Sequence, residues 1–92
     1  MIKSFRHKGL KRFFEKGKTS GIQSEHVGRV RRILALLETS SSITDMDLPG
    51  LNLNELKGNR KGTWSVKVSG NWRVTFKFVD GDVHVVDYED YH

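Results

Sequence analysis

Two stretches in the first half of the chain repeat apolar residues at the spacing of an amphipathic helix. The first covers residues 8–15 and is expected to end towards Gly17. The second runs to about Glu38 with Ser24 as a candidate N-cap. The apolar positions are Leu10, Phe13 and Phe14 in the first helix, and Val27, Val30, Ile33, Leu34 and Leu37 in the second. Each helix therefore has one face to bury, and an irregular connection over residues 40–51 follows them.

Further along the chain the apolar period changes from helical spacing to two, which is typical of strands. Residues 63–68 and 72–78 both alternate between apolar and polar side chains. Asp80-Gly81 is a strong two-residue hairpin signal and leads into a third strand over residues 82–88. A short strand is also expected near the start of the chain, where residues 2–5 alternate.

Matching the apolar faces of these strands predicts the register of the sheet. A three-residue loop at 69–71 sets apolar residues opposite one another, whereas a two-residue loop would set them against polar ones. The expected pairs are Val68 with Trp72, Val66 with Val74, Trp64 with Phe76, Phe78 with Val83, and Phe76 with Val85. A strand, two helices and a three-stranded meander predict an α+β fold, ordered β-α-α-β-β-β, with both helices on one face of a small antiparallel sheet.

The other face of that sheet collects the polar side chains of the strands. They are Ser65, Lys67, Arg73, Thr75, Lys77, His84 and Tyr88. Lys67 is expected opposite Arg73, and Arg73 opposite Tyr88. Like charges directly across a ladder are unfavourable unless something anionic lies between them. Any one lysine fits a solvated sheet face, but the set favours phosphate contact, with Lys67 and Lys77 as substrate-binding candidates.

Composition narrows the class of protein. The 92 residues predict one domain, 1–92, and the absence of cysteine excludes disulfides, thiolate catalysis and cysteine zinc sites. The net charge is +5, and residues 1–38 hold ten basic against three acidic side chains. Such a domain suggests a polyanionic partner, most simply nucleic acid. No membrane-spanning run or signal peptide is seen, so a cytoplasmic protein without a membrane partner is expected.

An acid/base cluster stands at Asp90, Tyr91 and His92. RNA cleavage through the 2′-hydroxyl needs a base, an acid and cations for the developing charge, and His suits either proton role. No metal or other cofactor is expected, because His7, His26, His84 and His92 stand far apart in the sequence. The competing interpretation is an ordinary polar tail.

Three motifs together resemble one protein family. They are Leu56-Lys57-Gly58, Asn71-Trp72-Arg73 and Asp90-Tyr91-His92. Over nearly the whole chain the sequence resembles the HigB toxins, the host-inhibition-of-growth branch of the RelE-like ribosome-dependent messenger-RNA interferases. Each motif is common alone, but the three at these spacings in so short a chain are hard to obtain by chance.

The resemblance implies a toxin of a type II toxin-antitoxin system that enters the ribosomal A site and cuts the messenger there, favouring adenine-rich codons. Products ending in a 2′,3′-cyclic or 3′-phosphate and a 5′-hydroxyl are implied. By matching position, Lys57 and Arg73 would hold the phosphate, residues 90–92 would supply the acid/base and orienting groups, and Asn71 would place the substrate. The basic helices would then contact ribosomal RNA.

One position departs from the family pattern. Close relatives often place a His shortly before Leu-Lys-Gly, where this chain has Asn54. An amide forms hydrogen bonds but does not exchange a proton near pH 7, so Asn54 is expected to contact substrate at most. The general base is then His92, Asp90 or a substrate-assisted route, and the sequence leaves these three open.

The resemblance also implies a partner, a helix-turn-helix antitoxin of the HigA type, through which alone the toxin would meet operator DNA. Its contact surface on this chain stays open between the acidic segment 45–47, the basic helices and the outer sheet edge. Two other function classes were compared with the toxin. A non-catalytic basic RNA- or ribosome-binding module is the alternative, and a gyrase inhibitor of RelE-like fold is disfavoured because it needs neither the terminal His nor the cationic sheet centre.

Overall fold

The computed structural model of the chain describes residues 1–91, which form two helices and one four-stranded antiparallel sheet. The helices are α1 (Lys8–Lys16) and α2 (Val27–Thr39). The strands are β1 (Asn54–Glu55), β2 (Trp64–Ser69), β3 (Trp72–Val79) and β4 (Asp82–Asp90), in the spatial order β1-β2-β3-β4. The predicted α+β fold is confirmed, and β1 is a strand that the sequence pattern did not reveal.

Both helices form where the apolar period placed them, but the start of α2 differs from the prediction. α1 is capped by His7, whose Nδ1 accepts the Leu10 N–H at 3.0 Å, and it ends at Gly17 in the left-handed conformation. α2 begins at Val27, after a 3₁₀ turn over Ser24–His26, so Ser24 is not its N-cap. The tight turn carries His26 into the core, where it is buried. No helix in the described part of the chain is long and apolar enough to cross a membrane.

The core lies between the two helices and one face of the sheet. Its fully buried side chains include Leu10, Val30, Ile33, Leu37, Val66, Val74, Phe76, Val83 and Val86. These come from both helices and from β2, β3 and β4, so burial of their apolar area fixes the helices on that face. The opposite face stays uncovered by either helix.

The short N-terminal strand is present as two parallel bridges along β4. Ile2 bridges to Val83 and Phe5 to Val86. Backbone hydrogen bonds reinforce them, including Lys3 N–H to the Val83 carbonyl at 2.7 Å and Val83 N–H to the Met1 carbonyl at 2.9 Å. The segment therefore covers the outer edge of β4, which would otherwise expose unpaired backbone groups.

The register between β2 and β3 is largely as predicted, with one difference at the turn. Trp64 lies opposite Phe76, Val66 opposite Val74, and Lys67 opposite Arg73. Trp72 pairs with Ser69 instead of Val68, and the connection shortens to Gly70-Asn71. The extra residue sits in a bulge between Lys67 and Ser69. The bulge lets a two-residue turn coexist with matched apolar faces, since it restores the alternation that such a turn would break.

The register between β3 and β4 changes at a second bulge. Phe78 pairs with Val83 as predicted, but Val85 does not lie in the core opposite Phe76. It adopts a left-handed φ of 57° and is 40% exposed, while Val86 is buried in its place. Every later residue of β4 therefore points to the side opposite from the one predicted.

Candidate active site

Rows of polar side chains cross the face of the sheet away from the helices, which we call the open face. One row is Lys67, Arg73 and Glu89, and the next is Asn54, Ser65, Thr75 and Asp87. Lys77 and His84 form a third pair. Residues directly opposite in an antiparallel ladder have Cβ atoms about 4.5–5.5 Å apart. Neighbouring side chains of a row are therefore close enough to contact the same group.

Glu89, and not Tyr88, lies opposite Arg73. Its carboxylate accepts two hydrogen bonds from Arg60, at 2.7 and 2.9 Å, and one from the Thr75 hydroxyl at 2.9 Å. The hydrogen bonds from Arg60 lower the pKa of Glu89 below its ordinary value, although burial of the carboxylate acts in the opposite direction. The same bonds raise the pKa of Arg60. This fork ties the 3₁₀ turn Gly58–Arg60 to the open face. Sequence reasoning missed Arg60 altogether, because the partner of an exposed arginine carries no local signal.

The lowered pKa of Glu89 predicts a pH-dependent contribution to stability. Below about pH 4.3, the ordinary glutamate pKa, the unfolded chain takes up the proton first, so the stabilisation is lost as pH falls through the lower pKa of the folded protein. The melting temperature, measured from neutral to acid pH, should therefore fall less steeply for Glu89→Gln than for the parent. Glu15→Gln, on the exposed side of α1, serves as the control and should keep the parental slope. Equal slopes for all three proteins would contradict the prediction.

The end of β3 and β4 gathers several of the predicted site residues. The Tyr91 N–H donates to the Asn71 carbonyl at 2.7 Å, which fixes the chain after β4 beside the β2–β3 turn. Asp90 lies opposite Trp72, and Tyr91 is exposed. Arg73 is the second residue of β3, two positions after Asn71 in the turn. The pairing brings Asn71, Asp90 and Tyr91 to one end of the sheet near Arg73, but Asp90 shares the helix-side face with Trp72 while Arg73 is on the open face. His92 lies outside the described residues.

The remaining predicted residues lie further away on the sheet. Asn54 is exposed on β1, so β2 and β3 separate it from β4 by three strand spacings, about 14 Å. Lys57 is exposed immediately before the turn that Arg60 ties to Glu89. Lys77 is exposed on β3, four residues from Arg73, or about 13 Å along the strand. The structure therefore separates these three residues from the end of the sheet that holds Tyr91, and only Asn54 lies on the edge strand.

A buried aromatic cluster supports this end of the sheet from the helix side. Tyr88 is only 5% exposed, which corrects its predicted place on the open face. Its hydroxyl forms a 2.6 Å hydrogen bond with Nδ1 of His26, and its ring stacks on Trp72 at 4.7 Å. Burial raises the pKa of Tyr88, which keeps the phenol neutral. Tyr88 is therefore part of the core and holds β4 in register behind the site.

Removing the buried hydroxyl should destabilise the fold. Tyr88→Phe leaves His26 without that partner, and an unsatisfied buried group costs about 1–3 kcal/mol. For a domain of this size each kcal/mol corresponds to a melting temperature about 4–8 °C lower. Tyr91→Phe, the same change at an exposed tyrosine, should leave the melting temperature unchanged. Equal melting temperatures for the two variants would show that the His26 contact contributes nothing.

The open face places cationic side chains beside side chains that can exchange protons. Lys67 and Arg73 stand side by side in one row, and Glu89 is already engaged by Arg60. An anion such as a phosphodiester would relieve the repulsion between the two cations. Among residues 1–91, no three His, Cys, Asp or Glu side chains are grouped so as to hold a metal ion.

Comparison with solved structures identifies the class of fold. The chain superposes on a chain of the YoeB-YefM complex from Staphylococcus aureus with a TM-score of 0.65, covering 100% of this chain and 98% of that one. The sequences are 13% identical, so this likeness concerns the fold. The α+β architecture with a helix-covered and an open sheet face is thus shared with a component of that complex.

Comparison of sequences gives the family. The family model that describes the RelE-like toxin of the type II toxin-antitoxin system HigB matches residues 3–92. Endoribonuclease HigB from Proteus vulgaris is 48% identical over the full length of both chains. Toxin HigB-1 from Vibrio cholerae serotype O1 is 33% identical, covering 100% of this chain and 98% of that protein. The chain belongs to the HigB-like toxin family, and the predicted family is confirmed.

Proposed function

We propose that this HigB-like toxin cleaves messenger RNA in the A site of the ribosome, without a metal ion, and thereby inhibits translation and growth. Membership of the family and 48% identity to an endoribonuclease support the predicted RNA-cleaving activity. Two parts of the proposal go beyond RNA cleavage itself, namely that cleavage depends on the ribosome and that it occurs in the A site. The observation that carries the proposal is the pair Lys67 and Arg73, placed on the open face beside the end that holds Asn71 and Tyr91.

The proposed reaction is an internal transfer within the RNA. The 2′-oxygen forms a bond to the adjacent phosphorus, the bond from phosphorus to the 5′-oxygen breaks, and a 2′,3′-cyclic phosphate and a 5′-hydroxyl result. The 2′-hydroxyl gives its proton to a base, and the 5′-oxygen receives one from an acid. Cations stabilise the negative charge that develops on the phosphoryl oxygens.

The proposed roles are those that the resemblance to the HigB toxins implies. Arg73 and Lys57 neutralise the reacting phosphate, and Asp90, Tyr91 and His92 transfer or orient protons. The backbone hydrogen bond that holds Tyr91 beside Asn71 supports the two residues acting on one substrate, which Asn71 places. Lys67, Lys77 and Asn54 contact the rest of the substrate from the open face. The base is His92, Asp90 or a substrate-assisted route, since Asn54 exchanges no proton near pH 7.

A toxin of this family has an antitoxin as its partner. We propose that the antitoxin is of the HigA helix-turn-helix type and that operator DNA is met only through it. The basic helical half, with ten cations among residues 1–38, supports docking on ribosomal RNA. The single domain then acts in the cytoplasm, where its substrate is.

Cleavage on a programmed ribosome tests the proposal. Ribosomes carrying a defined messenger with a vacant A site should yield a new 5′ end within the A-site codon when the toxin is added. The yield should be the same with and without a chelator, and free messenger should stay intact. Salt-sensitive binding with no new ends would favour the alternative, a non-catalytic RNA-binding module. Cleavage abolished by the chelator would contradict the metal-independent route.

A further inference from the structure

A pocket of about 220 Å³ opens on the open face, apart from the end that holds Tyr91. It lies between the N-terminal segment, the turn Gly58–Arg60 and β4. The side chains that matter for its chemistry are Arg6, Asn59, Arg60, Lys77, Val85 and Asp87. Of these, only Lys77 has a role in the proposed function, as a contact with the substrate outside the reaction site, and it lies about 13 Å along β3 from Arg73.

Two features described above build the walls of this pocket. The fork from Arg60 to Glu89 holds the turn Gly58–Arg60 against the sheet, which places Asn59 at the rim. The bulge turns Val85 out of the core and gives the pocket an exposed apolar wall. The fork joins two side chains and the bulge lies in the paired backbone of β4, and both are present without a ligand, so the cavity is preformed.

The charges of the pocket suit a phosphate. The Arg6 side chain is 71% exposed, and its Nε lies 3.9 Å from the Asp87 carboxylate. Charge-assisted hydrogen bonds are about 2.7–2.9 Å long, so this contact is loose and leaves the guanidinium able to bind an anion. Lys77 adds an exposed second cation on the same pocket. Arg60 forms part of the pocket wall and is not an anion-binding group, because both of its terminal nitrogens donate hydrogen bonds to Glu89.

The other groups suit the rest of a nucleotide. Asp87 accepts hydrogen bonds from a hydroxyl or an amine, and the Asn59 amide both donates and accepts. Val85 supplies an apolar surface for a ribose or a base edge. A bare anion would use the cations alone, whereas a nucleotide would use all of these side chains.

We propose that this pocket, which we call the flanking pocket, binds a messenger nucleotide that flanks the cleaved one. Its phosphate contacts Arg6 and Lys77, and its sugar or base lies towards Asn59, Asp87 and Val85. The inference rests on the proposed function, and it adds a second contact with the same RNA strand. One phosphate does not span the distance between Arg73 and Lys77, so the reaction site and the flanking pocket hold different nucleotides.

Single-turnover cleavage on programmed ribosomes tests the flanking pocket. Arg6→Gln should require about tenfold more toxin for the half-maximal rate, at an unchanged maximal rate, because a lost phosphate contact weakens binding and leaves the chemistry intact. Lys61→Gln removes an exposed cation that does not line the pocket and should bind as the parent does. Arg6→Gln should also melt with the parent, since the side chain is exposed. Unchanged binding by Arg6→Gln would reject the pocket.

Replacing single phosphodiester linkages of the messenger with uncharged ones identifies the phosphate that the flanking pocket binds. A methylphosphonate at one position outside the cleaved linkage should weaken the parent about tenfold and leave Arg6→Gln unaffected, as expected for two groups in contact. If Arg6→Gln binds weakly but no messenger position couples to it, the anion belongs to ribosomal RNA and the messenger assignment is wrong.

A binding measurement separates this inference from the proposed function. If the parent toxin cuts no messenger, ribosome-dependent cleavage is wrong, but the pocket is still tested by equilibrium binding of a 2′-O-methyl pentanucleotide with the programmed sequence. Arg6→Gln and Asn59→Ala should then each bind it several-fold more weakly than the parent and Lys61→Gln. Equal affinities for the four proteins would reject the flanking pocket regardless of catalysis.

Discussion

Replacing Arg73 with Ala should lower messenger cleavage on programmed ribosomes by about 10²–10³-fold, because one preorganised charge-stabilising group contributes about 2.7–4 kcal/mol at the transition state. Lys57→Ala should have an effect of the same order. Arg73→Lys should recover part of the rate, since it keeps the charge but loses the planar fork that binds two phosphate oxygens. Single-turnover rates at saturating toxin measure these effects without interference from product release.

The contacts around Arg73 indicate which properties of the Arg73→Ala variant should stay unchanged. Glu89 keeps its bonds from Arg60 and Thr75 when Arg73 is removed, so the variant should fold and bind ribosomes as the parent does. Lys61→Ala removes an exposed cation outside the proposed reaction site and should cleave at the parental rate. Near-normal cleavage by Arg73→Ala would remove this residue from the reaction site, and the same outcome for Lys57→Ala would remove Lys57.

Removing His92 should abolish growth inhibition while the protein still folds and binds ribosomes. A positioned acid or base contributes about 10²–10⁴-fold, so loss of a proton carrier brings the rate below what toxicity requires. His92→Asn keeps the length of the chain and removes only proton exchange, which makes it the matched variant for the deletion. Growth after induction and cleavage in vitro are the two measurements.

Tyr91→Phe distinguishes the phenol from the imidazole. If His92 exchanges the proton, its loss removes the limb of the rate–pH profile that reflects an imidazole near neutrality, and Tyr91→Phe keeps that limb. If both variants keep the profile and only Tyr91→Phe is slow, the phenol is the proton carrier. Full toxicity of the His92 deletion would place the site elsewhere.

The sequence predicted the elements whose apolar pattern is regular. α1, the apolar face of α2 and the pairing of Trp64 with Phe76 all follow from burying one face of each element. The order of helices and meander then specified the fold, and it brought Lys67 opposite Arg73. Alternation alone thus predicts Arg73 on the open face, independently of the family resemblance.

The errors arise where a bulge breaks that alternation. The doubled Val85-Val86 was the available signal, because two adjacent apolar residues in an alternating strand indicate an inserted residue. Strict alternation ignores that signal, so it predicts Tyr88 on the open face and does not bring Glu89 beside Arg73. The fork from Arg60 to Glu89 joins residues 29 positions apart, a contact that no local pattern encodes.

The pairing of the N-terminal segment with β4 has a consequence for how the toxin folds. Ile2 bridges to Val83 and Phe5 to Val86, so this segment meets partners about eighty positions later in the chain. Contacts of such high sequence separation slow folding, because the long loop must close before they stabilise anything. A nascent chain without β4 has neither this pairing nor the end of the sheet that holds Tyr91. Toxicity should therefore appear only after β4 has been synthesised and has paired, and this delay gives an antitoxin time to bind.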